Sequence, residues 1–360
     1  MPEVFGVIGG GVAGTLTTLR LAIKGFTVYW WDDFSDDTAS LKAAGLFNVF
    51  TGRNPTLTWH ARELRQSFHR FLDSDTGKCF LPFVQFKRLY RPFNSKEHRN
   101  EWLEKINQSA YDTILTWQDT SIEQAENPFG GIWVEEVGWL DVPAFLKESR
   151  LLIQNNFPKV YRTNDFFHSK RVNLEEHNFI YGNKIIGYDH VIFCEGMDAD
   201  TNPLWRPYIF IQELKGQLLR LKADIDLPYI IVNQHGFMIP VGKGIWTVGS
   251  TYEHTYDHVH PTEEARDLLC KAFETSFSVP VKYEVTDHWT GIRPTTPDHK
   301  PIIGRHPLYA NLWILNGLGT KGVLLSCYGS EILINHILEN QPLPHEVRPA
   351  RWKKKKTDIR

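Results

Sequence analysis

The sequence predicts an α/β protein in which a Rossmann-type dinucleotide-binding domain is joined to a second domain built on a mixed β-sheet. Three observations carry this. A G-x-G-x-x-G turn separates a short apolar strand from an amphipathic helix at the N-terminus, and a second glycine-rich turn opens a helix near residue 319. Between residues 216 and 248, short β-rich runs alternate with Gly and Pro. At 360 residues the chain is long enough for two domains.

The first strand is Val4, Phe5, Val7 and Ile8, and it runs into Gly9-Gly10-Gly11. Apolar residues at Val12, Leu16, Leu19 and Ile23 then recur at helical spacing and predict one buried face. Gly25 stops the helix, and Thr27 to Trp31 reads as a second strand ending at Asp32-Asp33. Each glycine of the fingerprint has a separate task. Gly9 permits the sharp turn, Gly11 lets backbone N–H groups approach a pyrophosphate on the positive helix end, and Gly14 allows close helix–strand packing. Val12 and Ala13, at the helix start, complete this expected cofactor-binding set. Asp32 follows Gly14 by 18 residues, near the spacing at which a carboxylate accepts ribose hydroxyls, and Asp33 stands beside it. An acid here disfavours a 2′-phosphate and hence NADP. The βαβ unit alone does not separate FAD from NAD.

The cofactor motifs fall in residues 1–75, 140–207 and 288–345, so a discontinuous cofactor domain is expected. Residues 76–139 and 208–287 are assigned to the substrate domain, and 346–360 to a basic C-terminal tail. Gly182-Asn183, between two short apolar runs, predicts a hairpin. Pro261 to Glu264 begins a helix whose apolar face is Ala265, Leu268, Leu269, Ala272 and Phe273.

Composition excludes several classes. Apolar residues make up 42% and charged residues 23%, as in soluble globular proteins. No apolar run approaches the ~20 residues of a membrane span. Met1-Pro2-Glu3 has no basic n-region, so no signal peptide is expected. Four cysteines lie far apart without a C-x-x-C pair, which predicts neither disulfides nor zinc and fits a reducing cytoplasm. His60, His69, His235 and His299 have no metal spacing, and no metal is expected. The net charge of −2 gives no overall nucleic-acid footprint. Lys353 to Lys356 is the local exception, either a solvated tail or a polyanion contact such as tRNA.

The far end of the chain distinguishes the cofactor. Gly291-Ile292-Arg293-Pro294-Thr295-Thr296-Pro297-Asp298 leads to Pro301-Ile302-Ile303-Gly304. A strand at Leu312 to Leu315 follows, then Asn316-Gly317-Leu318-Gly319-Thr320-Lys321-Gly322. This order resembles the D-amino-acid-oxidase-like (DAO) family of FAD enzymes, which includes glycine and sarcosine oxidases. Ala39-Ser40 and Ala43-Ala44-Gly45 are similar to the family segment that passes the flavin. His190 to Gly196 is similar to its strand ending in an A-x-G turn, with Cys194 in place of the alanine and Gly196 closing the turn. The resemblance covers nearly the whole chain. Within the family, Gly138 to Ala144, Val248 to Tyr252 and Asp298 to Pro301 are similar to the oxidase domain of the MnmC subfamily of bifunctional tRNA wobble-uridine enzymes. Those enzymes oxidatively remove a carboxymethyl group from an amine, and only their oxidase half is expected here.

The resemblance implies oxidation of a C–N bond in a small amine or amino acid. A hydride passes from the α-carbon to flavin N5, the imine hydrolyses, and O₂ reoxidises the flavin; a dehydrogenase using another acceptor is the alternative. Gly317, Gly319, Thr320, Lys321 and Gly322 would bring a helix N-terminus to the flavin N1/C2 edge. Lys321 either adds positive charge there or is an exposed lysine at a helix start. Arg293 is implied to bind a substrate carboxylate bidentately, with a structural ion pair as the alternative. Tyr252 either places its hydroxyl over the flavin or closes the sheet. Arg293, Tyr252 and Lys321 form the expected catalytic set. Phe237 stands where relatives carry a carboxylate-assisting tyrosine, which points to a bulkier secondary amine. Gly291 stands where sarcosine-oxidase-like members attach FAD through cysteine, so non-covalent FAD is expected.

Overall fold

The computed structural model describes residues 3–33, 36–51, 55–106, 108, 115–116, 122, 125–224 and 229–352. Lys353 to Lys356 lie outside the described residues.

Val4–Ile8 is buried over its last four residues, as a central strand covered on both faces must be. It pairs in parallel with Thr27–Trp31 on one side and His190–Phe193 on the other. The full six-stranded order is Ile302–Arg305, Leu312–Asn316, His190–Phe193, Val4–Ile8, Thr27–Trp31 and Val160–Thr163. Within it only the edge strand Ile302–Arg305 runs antiparallel to its neighbour.

Helix α1 (Val12–Ile23) returns the chain across this sheet. It differs from the one-faced helix that its periodicity predicts. Ten of its twelve residues are buried, including Thr15, Thr17 and Thr18, while Ile23 is 48% exposed. The reason is tertiary: α1 is packed between helices that come from much later in the sequence. Helix α2 (Ala61–Asp73) and the mostly exposed α3 (Lys96–Ile106) lead to α4 (Val142–Asn156), whose N-terminus is capped by Asp141. Both α4 and the C-terminal helix touch α1. One core joins Phe5, Val7, Leu16, Leu19 and Trp30 to Phe145, Leu324 and Leu333. Behind the sheet, Ile8, Trp31, Phe179, Phe193 and Trp205 form a second. The hairpin at Gly182-Asn183 is present, with Tyr181 opposite Lys184, inside a small three-stranded sheet.

The other large sheet has nine strands and is almost wholly antiparallel. Its order is Tyr283–Thr295, Gln212–Ala223, Ile245–Gly249, Phe237–Gly242, Ile231–Asn233, Val84–Pro92, Gly131–Leu140 and Leu46–Phe47, with Leu115–Thr116 paired beside Gly131–Leu140. Helix α5 (Glu263–Glu274) covers one face, burying Leu269, Ala272 and Phe273 against Leu219, Leu221, Trp246 and Val248. Thr262 caps it through the Ala265 N–H. Leu268, expected in its apolar face, is instead 59% exposed and lines a cavity. The last long helix, α6 (Gly322–Glu339), lies against α1 and α2.

Candidate active site

A cavity of about 1430 Å³ opens at the carboxyl ends of the parallel strands, where Ile8, Trp31, Cys194 and Asn316 reach it. The antiparallel sheet closes its other side with Gly216, Phe237, Tyr252 and Arg293. Pockets for one small ligand measure roughly 300–1,000 Å³. This one has room for a dinucleotide and a substrate together.

At the first glycine turn the residue types follow from space. Gly9 has φ +109°, and a Cβ there would lie 2.3 Å from the Cys194 carbonyl oxygen. A Cβ on Gly14 would lie 1.9 Å from the Gly9 carbonyl oxygen, so α1 presses directly on the turn. Trp30 Nε1 donates to the same Gly9 oxygen at 3.0 Å and pins the turn to the second strand. Ser40 reaches in from its loop, where its Oγ accepts from the Val12 N–H at 3.1 Å. Gly9, Gly11, Val12, Ala13, Ser40, Ala44 and Gly45 all line the cavity. A bare backbone, a helix N-terminus and the surrounding space fit the pyrophosphate of a dinucleotide.

The two acids after the second strand diverge. Asp33 lines the cavity, while Asp32 lies behind its wall, 2% exposed, beneath Gly10. Arg150 of α4 holds it, Nε to Oδ2 at 2.6 Å and a terminal nitrogen to Oδ1 at 3.2 Å. That arginine also donates to the Gly10 carbonyl at 3.2 Å, bridging acid and glycine turn. No motif in the sequence points to Arg150. Glu195, at the variable position of the turn between Cys194 and Gly196 in the lining, likewise carries no signature. Burial pushes its carboxyl up to about 8 against the opposing bonds from Asn202 Nδ2, which reach both oxygens at 3.0 and 2.9 Å.

The second glycine turn is tied by one side chain to the turn that ends the strand His190–Phe193. Asn316 donates from Nδ2 to the Gly196 carbonyl at 2.9 Å and accepts from the Gly317 N–H at 2.8 Å. Gly317 supports the turn from behind, while Gly319, Thr320, Lys321 and Gly322 line the cavity. Lys321 is not a solvent-facing lysine. Its ammonium donates to the Asn48 carbonyl at 3.2 Å, to Asn48 Oδ1 at 3.3 Å and to the Phe50 carbonyl. Burial, and then the Arg91 charge beside it, push its pKa down to about 7. Arg91 is 4% exposed, with its guanidinium carbon 5.2 Å from the Trp102 ring centroid, and burial holds it near 10. Arg91, Asn48 and Phe50 carry no sequence signature, because residue 321 meets them only in the fold.

Arg293 stands over Gly216, where a Cβ would come within 2.1 Å of the guanidinium. It donates to Ser250 Oγ at 2.8 Å and to the Thr251 carbonyl at 3.4 Å, and its guanidinium carbon lies 5.3 Å from the Tyr252 ring centroid. Among the described residues no carboxylate comes within ion-pair distance of it. The nearby acid, Glu253, is otherwise engaged. Its Oε2 pairs with the fully buried Lys215 at 3.1 Å, and its Oε1 accepts from Gln217 at 2.9 Å and Thr251 at 2.5 Å. Burial raises the Glu253 carboxyl, but these bonds outweigh it and hold the group below the ordinary range. Tyr252 is 61% exposed to the cavity rather than buried in the sheet. Gly291 lies in the wall against the Lys42 side chain. Among the described residues there is no His, Cys, Asp and Glu grouping able to hold a metal ion.

A parallel sheet with a glycine cradle, roofed by an antiparallel sheet that presents an arginine to the shared cavity, is the architecture of a dinucleotide-dependent oxidoreductase. The chain belongs to the DAO family of FAD-dependent oxidoreductases, which it matches over residues 5–335. It is similar to the tRNA 5-methylaminomethyl-2-thiouridine biosynthesis bifunctional protein MnmC of Polaromonas naphthalenivorans, at 27% identity over 96% of this chain and 58% of that protein. It is similar to the glycine oxidase of Pseudomonas aeruginosa at 29% identity over 38% of each chain. The chain thus aligns with less than two thirds of the length of these curated relatives. In structure it superposes on the glycine oxidase of Bacillus cereus with a TM-score of 0.78, at 18% identity, over 94% of this chain and 96% of that one. No helix among the described residues is long and apolar enough to cross a membrane.

Proposed function

We propose that this chain oxidises the C–N bond of an amine bearing a carboxylate, using non-covalently held FAD and O₂ as acceptor. The observation that carries this reading is Arg293: a guanidinium without an acidic partner among the described residues, in the wall of the cavity that also holds the glycine cradle. Bound FAD supplies the two-electron acceptor. The chain does the rest. Arg293 takes the carboxylate through two N–H donors, held at that angle by Ser250 and Thr251 and stacked on Tyr252. Phe237 gives an apolar wall that offers the amine no hydrogen bond. Gly9, Gly11 to Gly14, Asp33, Ser40, Ala44, Gly45, Cys194, Gly196 and Gly317 to Gly322 form the cofactor cradle, with Asp32 acting from behind its wall. Gly291 offers no thiol for attachment. On this reading residues 1–75, 140–207 and 288–345 are the cofactor domain, residues 76–139 and 208–287 the substrate domain, and the protein works in the cytoplasm.

The test is anaerobic bleaching of the purified yellow protein by N-alkylglycines and D-amino acids, repeated with Arg293→Met and Arg293→Lys. Bleaching that needs a carboxylate and weakens in both variants supports the proposal. A colourless protein, or bleaching indifferent to Arg293, ends it. Reoxidation in a stopped-flow instrument separates the acceptors, since slow reaction with O₂ points to a dehydrogenase. A second reading, oxidative removal of a carboxymethyl group from tRNA, is favoured by the MnmC likeness along 96% of the chain. It requires that carboxymethylaminomethyl-modified tRNA bleach the flavin where free amino acids do not.

A further inference from the structure

Helix α5 presents apolar side chains to two different neighbours. Leu269, Ala272 and Phe273 are buried in the core beneath the antiparallel sheet, while Leu268 is 59% exposed and lines the cavity. Val259, in the loop that leads into the helix, is 52% exposed in the wall of the same cavity. Glu264 lines that wall too, one turn before Leu268 on the same helix face. Its carboxylate disfavours a second acidic group on a ligand here. The charge already serves the positive end of α5, in whose first turn it stands. What Val259 and Leu268 offer a ligand is removal of apolar surface from water on both sides of the contact.

One buried residue ties this apolar segment to Arg293. Gln217 is fully buried and follows Gly216, the residue over which Arg293 stands. Its backbone N–H donates to Thr251 Oγ1 at 2.9 Å, and the Thr251 carbonyl accepts from Arg293. Its side-chain carbonyl accepts from the Thr262 N–H at 2.8 Å, at the cap of α5. The loop 252–261 therefore leaves and returns at Gln217, beside the arginine, with Tyr252 and Val259 in the cavity wall between. Leu268 lies six residues beyond Thr262, about 9 Å along the helix axis. Both aliphatic side chains thus stand at the Arg293 end of the cavity, within reach of a ligand anchored there.

We infer that Val259 and Leu268 form an apolar subsite, and that the substrate carries an uncharged hydrocarbon group of several carbons there while its carboxylate sits on Arg293. The inference rests on the amine-oxidation reading and names the substrate class of the same site. Carboxylates without nitrogen cannot be oxidised at a C–N bond and report binding alone. The FAD-loaded protein is titrated with acetate, butanoate and hexanoate, following the flavin absorbance. Each methylene that is buried tightens binding about fourfold, so hexanoate is expected to bind at least about tenfold more tightly than acetate. Leu268→Asn removes most of that gain and weakens acetate far less, while Leu268→Met, which stays apolar, keeps it. Val259→Asn is an independent check should the first variant fail to hold FAD. The ω-trimethylammonio derivative of hexanoate, whose cation Glu264 would attract, is expected to bind more weakly than hexanoate itself. Affinity indifferent to chain length, a gain that survives in both polar variants, or tighter binding of the ammonio derivative overturns the inference and leaves amine oxidation standing. If no carboxylate of the series perturbs the flavin, the amine reading falls and this inference with it.

Discussion

Glu253→Gln tests how the site keeps Arg293 available. Lys215 is 1% exposed and its ammonium lies 3.1 Å from Glu253 Oε2. At an effective dielectric constant of about 20, unit charges at 3.1 Å attract by about 5 kcal/mol. With the carboxylate removed, the lysine can escape by losing its proton, which costs an ordinary lysine about 4.6 kcal/mol at pH 7. That escape sets a ceiling. Glu253 is itself 26% exposed, and the new amide oxygen still accepts a hydrogen bond. The expected loss is therefore about 2–3 kcal/mol, below the full cost of breaking a fully buried pair. Its pH dependence has a definite sign. In the variant the unfolded chain holds the lysine proton more firmly than the folded one, so stability rises with pH and the loss shrinks between pH 7 and 10. Urea unfolding of wild type, Glu253→Gln, Lys215→Met and the double variant measures each term. The double variant should recover most of the loss, because no buried charge remains. A Glu253→Gln protein as stable as wild type at pH 7, or one whose deficit grows with pH, would refute this account of the pair.

Gly14→Ala should abolish FAD retention while leaving a folded apoprotein, read as the ratio of flavin to protein absorbance, because its methyl group meets backbone 1.9 Å away. Lys215→Met should raise KM for the carboxylate substrate more than it lowers kcat, since Glu253 is then released towards Arg293. Asp141→Ala removes the side chain that accepts the Ala144 N–H at 3.1 Å and should cost about 1 kcal/mol in urea unfolding. His190, His288 and His306 are all pushed below the ordinary histidine range by burial. Their neutral forms belong to the fold, so thermal stability should fall as pH drops below about 6.5. His306 contributes through Nδ1, which accepts from the Leu308 and Tyr309 N–H groups, and His306→Gln should flatten that slope.

What was legible in the sequence was what backbone geometry demands of residue type. Gly9 and Gly14 could be read because a side chain at either meets backbone, and the hairpin at Gly182-Asn183 because Gly182 takes the left-handed φ that glycine adopts most readily. Periodicity was a weaker guide. It marked Ile23 and Leu268 as core, but whether an apolar face is covered depends on what the fold brings opposite it. At Ile23 that is solvent, and at Leu268 it is the cavity. The converse holds for α1, whose threonines are buried because α4 and α6 close over them. Arg91, Arg150 and Glu195 could not be read at all. Their partners lie elsewhere in the chain or depend on local burial, and charge pairing across such distances leaves no spacing pattern. The direction of Lys321 was undecided in the sequence because Asn48 and Phe50 decide it.

The clasp made by Asn316 has a consequence for how the enzyme is built. It joins Gly196 to Gly317, and the strand that carries it pairs with His190–Phe193, which pairs in turn with the first strand of the chain. A ribosome that has delivered the N-terminal glycine turn has delivered only one part of the nest. The remainder emerges some three hundred residues later, and the sheet cannot close before it does. Flavin capture is thus a late event in biogenesis, and fragments truncated before Asn316 should emerge colourless.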